Sequence, residues 1–147
     1  MRNGFVSAGV WVMLMAFTAA AASAADPPAS TATAEAPAAP LPIAPAELAK
    51  RLDTKDPDLV ILDVRTPEEF AAGHVPGARN VPHDQVASHL AELSASRDKQ
   101  IVLYCRSGRR SALAADALRQ AGFSRLLHLQ GDYLAWEADR HPIERAK

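Results

Sequence analysis

The stretch QIVLYCRSGRRS, residues 100–111, decides how the rest of this chain can be arranged. Its first half is a run of strand-forming residues that leads into Cys105, the only cysteine in the sequence. A short basic turn follows, and from Ser111 onward the apolar residues recur at helical spacing. This order of strand, tight turn and helix places Cys105 at the carboxyl end of a strand, beneath the backbone N–H groups of the turn.

The turn after the cysteine concentrates positive charge. Three of the five residues 106–110 are arginines, and no acidic residue occurs between residues 99 and 116. Guanidinium groups and a helix N-terminus favour a thiolate over a thiol, and the same positive potential attracts anions. We therefore predict that Cys105 is an ionised, solvent-reachable nucleophile in an anion-binding turn. The alternative is a buried structural cysteine at a strand end.

The N-terminal region predicts export. Arg2 precedes an uncharged apolar run over residues 5–22, and the small residues at 22–24 suit a signal peptidase. We assign residues 1–24 to a signal peptide and the protein to the periplasm. Cleavage one residue later is the near alternative. Retention of the run as a membrane anchor is another, because about 18 apolar residues is close to the lower limit for spanning a bilayer.

The remaining chain divides into a linker and one domain. Residues 25–43 are rich in Pro and Ala, which predicts a flexible linker, and residues 44–147 are long enough for one modest core. The formal net charge of −1 argues against nucleic-acid binding, and no stable membrane insertion is expected once the signal is cleaved. The five histidines are scattered, with no partner at ligand spacing, so we predict no metal site and no cofactor.

Apolar runs and helical patterns alternate along the predicted domain. The run at 59–62 predicts a buried strand ending at Asp63, and residues 66–69 have the form of a capping box, which starts a helix. Further helices are predicted near residues 43–52, 85–93, 111–121 and 133–139, and further strands at 101–104 and 124–129. The alternation predicts an α/β domain with a central, mostly parallel sheet and helices on both faces. Ligands of such sheets bind beyond the carboxyl strand ends, where Asp63 and Cys105 fall.

Three motifs, in this order along the chain, resemble the signatures of rhodanese-like domains. They are LDVRTPEEFAAGHVPGARNVP at residues 62–82, YCRSGRRS at 104–111, and LQGD at 129–132 followed by Trp136. The resemblance covers about residues 44–146 and implies a single-domain sulfurtransferase of the rhodanese type, similar to thiosulfate sulfurtransferases. Asp132 departs from the family pattern, which often has a second glycine there, and this puts the tight backbone turn at that position in question.

The resemblance also implies a mechanism. Cys105 would take the outer sulfur of thiosulfate or of a persulfide donor, hold it as a persulfide, and pass it to cyanide, a thiol or a protein sulfur acceptor. The residues assigned to substrate binding are those of the turn: Arg106, Ser107, Gly108, Arg109 and Arg110. Their backbone N–H groups would stabilise charge on the sulfur, and Arg106 and Arg109 would meet an anionic donor.

Three further residues are assigned a supporting role: Asp63, Arg65 and Glu69. Arg110 is expected to pair with an acid such as Asp63 or Glu69 and so to hold the loop in shape. Asp63 is interpreted as a carboxylate that bonds loop amides or an arginine. Arg65 and Glu69, four residues apart, are expected to form an ion pair.

Two other functions compete with sulfur transfer. Related cysteine phosphatases have an arginine six residues after the nucleophile, whereas Ser111 stands there in this chain, so the shorter loop argues against a phosphatase. A non-catalytic or redox-sensing binding module on the same fold is the second alternative, since an exported free thiolate oxidises easily.

Overall fold

A five-stranded sheet organises residues 39–146, the part of the chain that the computed structural model describes. The strands are β1 (Leu41–Ile43), β2 (Leu59–Asp63), β3 (Arg79–Asn80), β4 (Gln100–Tyr104) and β5 (Leu126–Leu129). Their order across the sheet is β1-β5-β4-β2-β3, and each of these pairings is parallel. The predicted α/β fold with a parallel sheet is confirmed.

In the described part of the chain, five α-helices connect and cover the strands. They are α1 (Pro45–Asp53), α2 (Pro67–Ala72), α3 (Leu90–Leu93), α4 (Arg109–Gln120) and α5 (Asp132–Ala138). The predicted capping box starts α2: the Thr66 hydroxyl accepts from the Glu69 amide, and the Glu69 carboxylate accepts from the Thr66 amide. The single helix predicted over 85–93 is instead α3 with a short 3₁₀ segment on either side.

The side chains of β4 alternate between two apolar cores. Leu103 and Cys105 face one core, to which α4 contributes Leu118, whereas Val102 faces a second core that includes Trp136 of α5. A parallel sheet covered on both faces needs apolar residues at successive positions, which is why β4 reads as a continuous apolar run. The predicted placement of helices on both faces is confirmed.

The first strand begins inside the segment that the sequence analysis assigned to the linker. Residues 41–43 pair with β5, and Ile43 is 6% exposed. Their strand character depends on this distant partner, which local composition does not reveal. The predicted signal peptide and most of the predicted linker lie outside the described residues. Within residues 39–146 no helix is both long and apolar enough to cross a membrane.

The sheet register aligns the ends of β2 and β4. Asp63 lies directly opposite Tyr104, and Val64 extends the ladder by donating its amide to the Tyr104 carbonyl at 3.0 Å. Cys105 is the next residue after this pair. The loops that follow the two strands therefore meet at one edge of the sheet.

Candidate active site

Cys105 lies at the base of the loop that joins β4 to α4. The Gly108 amide donates to its Sγ atom at 3.0 Å. Gly108 has φ +102°, a left-handed conformation that side chains rarely adopt, and this conformation turns the loop back over the sulfur. The arrangement stabilises negative charge on the sulfur through a backbone dipole.

The loop side chains form an exposed rim around a covered sulfur. Arg106, Ser107 and Arg109 are exposed, and Arg110 is half-buried. Cys105 itself is only 1% exposed. The structure thus differs from the predicted solvent-reachable sulfur, because the loop closes over the atom and one core packs against it from below.

Arg110 joins this loop to α2. Its guanidinium donates to the two carboxylate oxygens of Glu69 at 2.6 and 3.0 Å, so Glu69 is the acid expected to pair with Arg110. The hydrogen bonds from Arg110 lower the pKa of Glu69 from 4.5 to about 2. Glu69 in turn raises the pKa of Arg110, and the adjacent Cys105 sulfur adds to that effect. The pair holds a positive charge beside the sulfur.

The predicted ion pair between Arg65 and Glu69 is wrong. Arg65 donates instead to both oxygens of Asp63, from Nε to Oδ1 at 2.9 Å and from Nη2 to Oδ2 at 2.6 Å. The spacing i, i+4 brings side chains together only within a helix, and Arg65 precedes the first residue of α2. Arg65 also donates to the Gly73 carbonyl at 2.7 Å and lies 3.9 Å from the centre of the Tyr133 ring.

Tyr104 completes this buried network, and the sequence analysis did not single it out. Its hydroxyl donates to Asp63 Oδ2 at 2.7 Å and accepts from the Val75 amide at 3.1 Å. Burial, reinforced by the negative charge of Asp63, raises the pKa of Tyr104, so the hydroxyl stays protonated and can donate. Nothing in a single sequence marks a contact between residues 41 positions apart.

Asp132 is the second site residue that sequence reasoning missed. Its Oδ1 accepts from the Cys105 amide at 2.7 Å and from the Ser111 hydroxyl at 3.3 Å, and its Oδ2 lies 3.0 Å from His128 Nε2. Asp132 has φ +56° and follows Gly131 at φ +68°, so the tight turn forms even without a second glycine. The departure from the family pattern was the signal in the sequence that could have pointed to Asp132. No sequence signal pointed to His128.

A small cavity adjoins the loop between α2 and α5. It has a volume of about 230 Å³, and its lining includes Arg106, Glu69, Leu134 and Glu137. Leu134 is 45% exposed at its edge. Among residues 39–146 there is no cluster of three or more His, Cys, Asp or Glu side chains that could hold a metal ion.

Comparison with known proteins identifies the family. The model of the rhodanese-like domain matches residues 44–139, which is more than half of the chain. The chain belongs to the rhodanese-like domain family. The match begins at the last residue before α1 and ends just after α5, so it includes the cysteine loop and both of the networks described above.

Relatives of this rhodanese-like domain include sulfurtransferases. A protein named "Sulfurtransferase" from Allochromatium vinosum is 40% identical over 97 residues, which cover 65% of this chain and 87% of the relative. "Probable adenylyltransferase/sulfurtransferase MoeZ" from Mycobacterium tuberculosis is 39% identical over 100 residues, covering 68% of this chain but only 25% of that protein.

A solved structure shares the fold. The solution structure of the rhodanese-like domain of the Alr3790 protein from Anabaena sp. matches with a TM-score of 0.61 and 29% identity, covering 71% of this chain and 78% of that one. The chain is therefore a rhodanese-like homologue of sulfurtransferases with a single, buried cysteine.

Proposed function

We propose that this rhodanese-like domain is a sulfurtransferase that moves a sulfane sulfur from thiosulfate or a persulfide donor to a thiophilic acceptor through a persulfide on Cys105. The contact between the Gly108 amide and the Cys105 sulfur at 3.0 Å is the observation that carries the proposal. A backbone dipole aimed at this atom stabilises both the attacking thiolate and the terminal sulfur of a persulfide. Homology to a sulfurtransferase supports the same chemistry.

The two half-reactions balance without an external oxidant or reductant. In the first, the Cys105 thiolate attacks the outer sulfur of thiosulfate and forms a new S–S bond. The S–S bond of thiosulfate breaks, and sulfite leaves with the electron pair of that bond. In the second, cyanide or a thiolate attacks the terminal sulfur of the persulfide, the S–S bond breaks, and the Cys105 thiolate is regenerated.

Access to the sulfur takes place through the rim of the loop. Because Cys105 is only 1% exposed, the donor meets the exposed side chains of Arg106, Ser107 and Arg109 before it meets the sulfur. The two exposed rim arginines form no ion pair with any residue of the segment 39–146, and their charges attract an anionic donor. Arg110 is already bonded to Glu69 and keeps the loop in place. The adjoining cavity of about 230 Å³, which Arg106 also lines, is the proposed entry for the donor.

Replacing the nucleophile tests the function. We expect the wild-type protein to form thiocyanate from thiosulfate and cyanide and to gain the mass of one sulfur atom on Cys105 when incubated with thiosulfate alone. Cys105→Ser keeps the size of the side chain and should do neither. Equal thiocyanate production by both proteins would end the proposal. A folded wild-type protein that never acquires sulfur from any donor, but captures a protein partner, would favour the binding module instead.

A matched pair of arginine variants tests the donor site. Arg109→Gln removes a rim charge and should raise the KM for thiosulfate several-fold, with a smaller effect at high salt. Arg79→Gln removes an exposed charge that is paired with Glu92 away from the loop, and it should leave KM unchanged. Equal KM values in the two variants would contradict the assignment of Arg109 to donor binding.

We also propose that the protein is exported to the periplasm. The support is Arg2, the apolar run at 5–22 and the small residues at 22–24. N-terminal sequencing of the protein recovered from cells should begin after residue 24 or 25. Recovery of an intact Met1 in the membrane fraction would replace cleavage by anchoring.

A further inference from the structure

Asp132 and His128 lie directly beneath the loop that carries the nucleophile. The Asp132 carboxylate is 2% exposed and bonds the Cys105 amide, so it is fixed at the base of the reacting residue. A Cβ atom on Gly108 would lie 3.2 Å from Asp132 Oδ2 and 3.9 Å from His128 Cε1. The same glycine donates its amide to the sulfur. Asp132 is therefore bonded to Cys105, and both members of the pair lie close to Gly108.

A buried carboxylate at this position has an electrostatic consequence for the sulfur. Like charges in a poorly solvated site disfavour each other, so a lone Asp132 carboxylate would oppose a thiolate or an anionic persulfide on Cys105. His128 bonds that carboxylate at 3.0 Å, and its side chain is 31% exposed, so it exchanges protons with solvent. A protonated imidazole at this distance offsets the charge of the carboxylate.

We propose that Asp132 and His128 are positioning residues for the sulfur-transfer reaction: Asp132 fixes the cysteine loop from below, and the His128 imidazolium offsets its charge so that the sulfur stays anionic. This inference rests on the proposed function for its catalytic meaning. It adds a proton-dependent control of the nucleophile. The two controlling residues lie on β5 and α5, outside the cysteine loop.

The direction of the pH dependence follows from the pair. The hydrogen bond to Asp132 raises the pKa of His128 above its ordinary value, against the opposing effect of burial. Burial alone would raise the pKa of Asp132, but the bonds from His128 and from the Cys105 amide outweigh it and lower that pKa. While His128 carries a proton, its charge offsets that of the Asp132 carboxylate. Once the imidazole has lost its proton, the carboxylate is uncompensated and disfavours negative charge on the sulfur.

The described neighbours of the pair carry few other charges. On the adjacent strands, Pro42 of β1 and Leu103 of β4 lie opposite His128 in the sheet register, and neither titrates. From the β4–α4 loop, the titratable group facing Asp132 is Cys105. The positive charge of Arg110, which is partly offset by Glu69, also acts on that sulfur.

Alkylation of Cys105 by iodoacetamide tests the proposal without any sulfur donor. The rate is measured on the full chain from mildly acidic to alkaline pH, for His128→Gln, Asp132→Asn and the double variant. Asn keeps an oxygen that can accept from the Cys105 amide, and it tolerates the left-handed backbone at this position. His89→Gln is the matched control, because His89 is 32% exposed and pairs with a different carboxylate, that of Glu92.

We expect His128→Gln to slow alkylation at neutral pH about tenfold, since it leaves the carboxylate uncompensated. Asp132→Asn should stay close to the wild-type rate, and adding it to His128→Gln should restore most of the lost rate. A merely structural pair would show no such rescue. A His128→Gln rate equal to that of His89→Gln, or a double variant as slow as His128→Gln alone, would overturn the inference.

The measurement separates this inference from the proposed function. If alkylation shows the rescue while the wild-type protein transfers no sulfur from any donor, the charge control of Cys105 stands and the sulfurtransferase assignment fails. If sulfur is transferred and the alkylation rate does not depend on His128, the sulfurtransferase assignment stands and the positioning role of the pair is refuted.

Discussion

Replacing Glu69 by Gln tests how strongly the Arg110 ion pair holds the active-site loop. The variant keeps the size of the side chain and removes its charge. The two hydrogen bonds, at 2.6 and 3.0 Å, form a bidentate contact between α2 and the first turn of α4. We expect the free energy of unfolding to fall, and the loss to be confined to conditions in which Glu69 is ionised.

The magnitude follows from the geometry. A pKa lowered from 4.5 to about 2 is equivalent to about 3 kcal/mol of coupling. The two side chains are 25% and 28% exposed, so water screens part of this interaction and about 1–2 kcal/mol is expected at neutral pH. The ion pair of Arg79 and Glu92 is 45% and 56% exposed, so Glu92→Gln should cost about 0.5 kcal/mol or less.

The pH dependence has a definite sign. Because the pKa of Glu69 is lowered in the folded state, its contribution is fully present above pH 4.5 and is lost as the pH falls toward about 2. Urea unfolding of wild type, Glu69→Gln and Glu92→Gln, measured at neutral pH and at several acidic values, gives all three free energies. Wild type and Glu69→Gln should converge in acid. A Glu69→Gln loss no larger than that of Glu92→Gln, or one that does not change with pH, would refute the reasoning.

Three other substitutions probe the same loop and its supports. Gly108→Ala forces a side chain into a left-handed conformation 3.2 Å from Asp132, so we expect a loss of about 1–3 kcal/mol by urea unfolding and a large drop in thiocyanate formation. Tyr104→Phe leaves the buried Val75 amide without its acceptor and should cost about 1–3 kcal/mol, whereas full wild-type stability would mean that this network contributes nothing. Asp132→Ala leaves the Cys105 amide unpaired and should destabilise by about 1–3 kcal/mol, with Asp132→Asn close to wild type; equal losses would show that the acceptor oxygen is unimportant.

The parts of the site that follow from local order along the chain were predictable. The strand before Cys105, the helix after it and the capping box at Thr66 all depend on residues within a few positions of one another. The pairing of Arg110 with an acid was also predictable, because the loop carries an excess of positive charge that a neighbouring carboxylate stabilises.

The contacts that the sequence did not reveal join residues far apart in the chain. Tyr104 meets Asp63 only because β2 and β4 are neighbours in the sheet, and Asp132 reaches Cys105 only because β5 is next to β4. Arg65 was given the wrong partner because the helical i, i+4 spacing was applied to a residue that lies two positions before the first residue of α2. The burial of Cys105 also depends on how the loop and a core close around it, which local composition does not determine.

Because the side chains along β4 alternate between the two cores, the number of residues in this strand determines where the Cys105 sulfur lies. Ile101, Leu103 and Cys105 share one core, and Val102 and Tyr104 share the other. One residue inserted within this strand would rotate everything downstream by half a turn and send the thiol into the wrong layer. Two inserted residues would restore the side but advance the thiol by about 7 Å. Substitutions in β4 can therefore leave the Cys105 sulfur in place, whereas insertions and deletions displace it.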